Sequence, residues 1–144
     1  MGPGGRNRPI HLNWRYLAIV FAGGAVGTAA REGLALVIPS VDGIPLAIFV
    51  INVVGAFLLG ALLEGLSRGG QDAGRRRGIR LLVGTGFLGG FTTYSTLATD
   101  TSVLAAHGSS GLAIAYSIGT IVIGALASWG GIAVGASIHR RRET

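Results

Sequence analysis

Hydrophobic residues along this 144-residue chain gather into four long runs, at about 16–38, 44–66, 81–106 and 112–138, with short polar segments between them. Each run reaches the ~20 residues that a helix needs to cross the hydrocarbon core of a bilayer. The pattern predicts an all-α integral membrane protein of four transmembrane helices. These form one domain over 16–138, flanked by a basic N-terminal tail at 1–15, expected to be disordered at its start, and a basic C-terminal tail at 139–144. The first run is too long for a signal peptide; it contains Arg31 and Glu32 and has no cleavage-like exit.

The third run departs most from a plain spanning helix. Gly84, Gly86, Gly89 and Gly90 fall within seven residues, and Thr92, Thr93, Tyr94, Ser95, Thr96, Thr99, Thr101 and Ser102 follow. Glycine weakens a helix, and hydroxyls in hydrocarbon need partners. Backbone freed at membrane depth is tolerated only where protein or a water-filled cavity surrounds it, and such broken helices recur at ion and substrate sites. The run is therefore expected to break between Gly86 and Thr92.

The other runs are more regular. Gly23 and Gly27 allow close approach of another helix. Pro39 ends the first helix before a tight turn at 40–43, and the second carries Asn52, Ala56 and Gly60. A basic loop occupies 67–78 and a turn 107–111. In the fourth run Tyr116, Thr120, Gly124 and Ser128 lie four residues apart, hence on one helix face.

Composition agrees with a membrane protein: 12% of residues are charged, against about 25% in a soluble domain. The chain has no cysteine, which removes disulfides and thiolate metal sites, and His11, His107 and His139 are too scattered for a histidine metal cluster. A net charge of +6 raises the question of nucleic acid. The arginines flank apolar spans instead of forming a stripe on a soluble face, so they read as topology signals and contacts to anionic lipid. Three arginines lie in the N-terminal tail, five at 68–80 and three at the C-terminus, which makes eleven of the twelve. The turns around Asp42 and His107 have none. The positive-inside rule then puts both termini in the cytoplasm of a multi-pass cell-membrane protein.

Four intramembrane features invite a functional reading. Asn52 brings two donors and an acceptor into hydrocarbon, serving a helix–helix bond, an anion, or a clamp on the third run. Arg31 and Glu32 point about 100° apart on a helix and are not expected to face each other; Arg31 would cap carbonyls or line a vestibule. Asp100 needs a partner, with Arg31 or outer water as the candidates. The hydroxyl cluster suggests a polar pathway or coordination site.

Three segments together resemble the Fluc (CrcB) family of fluoride channels: GGAVGTAAR at 23–31, NVVGAFLLG at 52–60, and GFLGGFTTYST at 86–96. The resemblance implies an antiparallel, dual-topology dimer of four-helix subunits with a broken third helix and two fluoride pores. It implies a structural Na+ at the dimer centre, held by the backbone carbonyls of Gly89 and Thr92. It also implies a fluoride pathway through Asn52, Tyr94, Ser95, Thr96, Tyr116 and Thr120. The chemistry is consistent, since a hard cation takes oxygen ligands and a strongly hydrated anion needs close donors to replace its water. The sequence departs from the family pattern at Tyr94 and Leu97, where phenylalanines are usual, and at Ile48, where threonine is usual.

The reading that follows is passive export of fluoride and fluoride resistance. A proton-coupled four-helix drug exporter using Glu32, and a non-conducting partner subunit, are the alternatives. No motif of an enzyme is present. The one-sided arginines and the replaced phenylalanines both predict a heterodimer with an oppositely oriented homologous subunit, a homodimer being the alternative.

Overall fold

The computed structural model describes residues 13–140, and among these every regular element is helical. The remainder of both predicted tails lies outside the described residues. In chain order the elements are α1 (Trp14–Val37), α2 (Leu46–Arg68), α3 (Gly74–Ile79), a π-helical segment (Arg80–Leu88), α4 (Gly89–Phe91), α5 (Tyr94–Ala106) and α6 (Ser110–Arg140). Three segments are long and apolar enough to cross a membrane: Trp14–Val37, Leu46–Arg68 and Ser110–Ile138. The third hydrophobic run is divided among α3, the π-helical segment, α4 and α5, so no one of its helices has that length.

Asn13 begins α1 by accepting a hydrogen bond from the amide of Arg15, which satisfies one of the donors orphaned at a helix start. The link to α2 is a two-residue reversal at Asp42 and Gly43. Both have positive φ, 52° and 81°, and Val41 and Ile44 exchange backbone hydrogen bonds across it. This is the Asp-Gly turn chemistry that left-handed backbone favours.

Small residues decide the helix packing. A Cβ on Gly23 would overlap the carbonyl oxygen of Leu82, one on Gly27 that of Phe87, and one on Gly90 that of Gly24. These glycines let α1 lie directly on the backbone of the third run. Gly60 admits the Ser128 backbone, and Gly131 admits that of Phe57, which seats α6 on α2. Such contacts are the usual means of holding helices together where lipid removes the hydrophobic drive between them. The buried core is narrow, formed by Ile48, Ile51, Leu88, Phe91, Leu97, Leu104, Ala113 and Tyr116. The outside is apolar instead: Phe21, Leu36 and Trp129 are each more than 70% exposed. A helix hydrophobic all round suits a lipid environment.

The break in the third run sits later than the glycines predict. Gly89 and Gly90 keep helical geometry within α4, and the chain leaves the helix at Thr92 (φ −78°, ψ 155°) and Thr93 (φ −148°, ψ 127°). Both are β-branched residues, which suit extended backbone. The glycines serve the close approach of α1.

Candidate functional site

Two extended residues would leave peptide groups without helical partners, and a side chain from another helix supplies the missing bonds. The Asn52 amide on α2 donates from Nδ2 to the Thr93 carbonyl (2.9 Å) and accepts from the Thr93 amide at Oδ1 (2.8 Å). Asn52 thus imitates a neighbouring strand and closes the peptide's hydrogen bonds from outside the segment. Of the uses open to Asn52 from sequence, the clamp is realised, and one of its two Nδ2 hydrogens is left uncommitted. Gly55, one turn further along α2, makes room for the Thr92 methyl group, which a Cβ there would strike.

Thr93 then caps α5. Its Oγ1 accepts from the Thr96 amide (3.2 Å) and lies 3.2 Å from Ser95 Oγ and 3.0 Å from Thr96 Oγ1. Because the cap oxygen is occupied as an acceptor, the three hydroxyls share hydrogens that can turn toward a ligand. Thr92 is tied down from the other side, with its amide and Oγ1 both donating to the Leu88 carbonyl. The carbonyls of Gly89 and Thr92 receive no hydrogen bond from the described residues, and Gly89 lies on the exposed side of the chain. Two unpaired carbonyl oxygens beside a break are the donor type that a hard cation takes.

A crevice of about 320 Å³ runs beside the break, lined by Asn52, Thr92, Thr93, Tyr94, Leu97 and Thr120, among others. Of the predicted pathway residues, Asn52, Tyr94 and Thr120 meet there. Ser95 and Thr96 reach it only through their bonds to Thr93. Tyr116 faces an adjoining crevice of about 280 Å³, which shares Thr120 with the first, and its hydroxyl donates to the Pro45 carbonyl (3.3 Å). Thr120 donates to the Tyr116 carbonyl one turn back. The residues that depart from the family pattern divide in the same way. Tyr94 is 77% exposed, whereas Leu97 and Ile48 are buried in the core.

The charged residues correct one expectation and narrow another. Arg31 and Glu32 do form an ion pair, from Nη2 to Oε1 at 3.1 Å. The angle between adjacent positions on a helix does not prevent this, because both side chains are long enough to bend toward each other along the surface. Among the described residues Asp100 pairs with no arginine, and its Oδ2 is buried without a hydrogen-bond partner, in a cavity shared with Asp42, His107 and Ser109.

Thr93 is the residue that sequence reasoning undervalued. It was visible only as one of many hydroxyls, although a threonine just before a helical stretch is an ordinary N-cap signal.

The chain matches the family described as "CrcB-like protein, Camphor Resistance (CrcB)" over residues 18–132. A protein of Leifsonia xyli subsp. xyli named fluoride-specific ion channel FluC 2 is 54% identical over 134 residues, covering 93% of this chain and 92% of that one. A fluoride-specific ion channel FluC 1 of Cutibacterium acnes is 42% identical over 129 residues, covering 89% and 90%. The fluoride-specific ion channel FluC of Deinococcus radiodurans is 38% identical over 128 residues, covering 87% and 96%.

Proposed function

The chain belongs to the CrcB family, a family of fluoride ion channels and not of enzymes, and from that premise we propose that it is a channel subunit through which fluoride leaves the cytoplasm passively. The observation that carries this reading is the clamp of Asn52 on Thr93. It holds a break open at a crevice and leaves an amide hydrogen and a cluster of hydroxyls to replace the water of a small anion. Asn52, Ser95 and Thr96 supply donors, Thr120 lines the path with its hydroxyl hydrogen committed to the Tyr116 carbonyl, and Tyr94 and Tyr116 flank it.

The third hydrophobic run, with its pieces end to end, serves as a fourth span. Four spans put the three arginine-rich regions on one side, with both termini in the cytoplasm. The carbonyls of Gly89 and Thr92, unpaired among the described residues, are oxygen donors that, with the equivalent pair of a second subunit in the opposite orientation, would suit a sodium ion. Such an ion supplies positive charge that ties the two breaks together. The strong arginine bias favours a heterodimer, since a chain that inserts both ways needs weak bias. A proton-coupled exporter is less well supported, because Glu32 is tied to Arg31 and the broken run has no part in it.

The test is fluoride efflux from liposomes carrying this chain alone or with a homologous subunit of opposite charge bias. Flux with the partner is expected. Its absence in both preparations would overturn the channel reading, while strong flux from the chain alone would overturn only the heterodimer. Topology reporters at both termini should face the cytoplasm in one population.

A further inference from the structure

The arginines at the end of α2 are not equivalent. Arg68 is paired with Glu64, and Arg77 and Arg80 both contact Asp72. Arg75 and Arg76 have no carboxylate partner among the described residues. The Arg76 guanidinium lies over Gly69 and Gly70, where any Cβ would meet it.

Arg76, Arg80, Asp72 and Ser67 form the polar end of a crevice of about 270 Å³ whose other walls include Leu63 and Leu66, with Arg80 donating to Asp72 from Nε and Nη2. A second crevice of about 270 Å³ adjoins it, with Leu63 and Arg80 lining both, and is lined further by Leu59, Gly84 and Thr85. The groove between α2 and the π-helical segment therefore has arginines at its mouth and Leu66, Leu63 and Leu59 beyond them, with Thr85 in its inner part. The mouth lies at the end of a membrane-spanning segment, the depth at which lipid headgroups sit.

We propose that this groove binds one anionic phospholipid, its phosphate on Arg76 and Arg80 and an acyl chain along Leu63 and Leu59. Charge complementarity selects the anionic headgroup, and Asp72 cancels only part of the charge at the mouth. Basic pockets between membrane helices are suited to such headgroups. The continuation of the groove distinguishes this occupant from a free phosphate, which would use the mouth alone. Arg75, exposed and outside both crevices, adds the same charge without the groove.

The experiment is native mass spectrometry of the purified full-length chain titrated with phosphatidylglycerol, with phosphatidylcholine and inorganic phosphate as separate arms. One retained phosphatidylglycerol per chain is expected. Arg76→Gln should weaken its retention about fivefold, as one surface cation contributes, and Arg75→Gln should change it less than twofold. Leu63→Trp should also weaken retention by crowding the groove, and circular dichroism checks that each variant folds. Equal losses in the two arginine variants would overturn the site in favour of diffuse attraction. Equal retention of phosphatidylcholine, or displacement of the lipid by inorganic phosphate, would overturn it as well.

Discussion

The third hydrophobic run and α6 carry the same ingredients and fold differently. α6 contains Gly119, Gly124, Gly130, Gly131 and Gly135 together with Ser117, Thr120, Ser128 and Ser137, and it stays one helix from Ser110 to Arg140. Three of its hydroxyls are absorbed by its own backbone: Ser117, Thr120 and Ser137 each donate to a carbonyl three or four residues back. In the third run Thr99, Thr101 and Ser102 do the same, but Thr93 does not. Neither glycine nor hydroxyl content separates the two regions. The difference is Asn52, which offers Thr93 hydrogen bonds that a helix would otherwise provide. Asn52 also borders the crevice that Thr120 and Gly124 of α6 line, but among the described residues its hydrogen bonds go to Thr93 and none to α6.

That contrast is most exposed to Asn52→Ala. The variant leaves the Thr93 amide and carbonyl without partners, at roughly 1–3 kcal/mol each, and removes a donor from the crevice. We expect a folded subunit whose fluoride efflux falls more than tenfold. Unchanged efflux would mean that the break stands without its clamp, and loss of folding would assign Asn52 to architecture alone. Gly89→Val should act next most strongly. A Cβ at Gly89 meets nothing in this chain, so the subunit should fold while its assembly with a partner, followed by cross-linking, drops severalfold. Thr92→Ser should be milder, and normal assembly of the glycine variant would remove Gly89 from the cation site.

Glycines in the two regions offer a stability test. Gly27→Ala drives a methyl group into the Phe87 carbonyl, which should cost about 1–3 kcal/mol in thermal unfolding in detergent. Gly119→Ala on α6 enters open space and should stabilise by roughly 0.5–1 kcal/mol. Equal shifts would show that α1 does not rest on the third run's backbone.

The smallest effect concerns Asp72, at the basic end of that run. Its hydrogen bond from Arg80, aided by the charges of Arg80 and Arg77, holds its carboxyl below the ordinary value of 3.8 despite some opposing desolvation. A lowered folded-state value stabilises the loop above the unfolded value, and the gain is lost as pH falls through the folded one. The Asp72 carboxyl should therefore titrate below 3.8 by NMR, with the loop clasp intact at neutral pH. A midpoint at or above that value would mean the ion pairs do not persist in solution.

The long elements were legible because hydrophobicity is read locally. Runs at 16–38, 44–66 and 112–138 became α1, α2 and α6 with ends shifted by only a few residues, and the small-residue positions Gly23, Gly27 and Gly60 do make close contacts. The position of the break was not legible, since it depends on a bond between residues 41 apart in sequence. Glycine content pointed to the right region, and the break begins at Thr92, the last residue of the predicted interval, and extends to Thr93. The Arg31–Glu32 pair escaped because helical angles describe where Cβ atoms point and not how far long side chains reach. The buried oxygen of Asp100 has no physical account in this fold.

The clamp has a consequence for the order of events during biogenesis. A nascent segment spanning 80–106 has no Asn52 beside it until α2 and the third run have paired, so during insertion its cheapest state is a continuous helix that satisfies its own peptides. The break is made when the helices dock: Asn52 exchanges its bonds for those that Thr93 gives up. The crevice, and with it the proposed cation site, would then be products of assembly, and a subunit arrested before docking would be inserted, helical and without either.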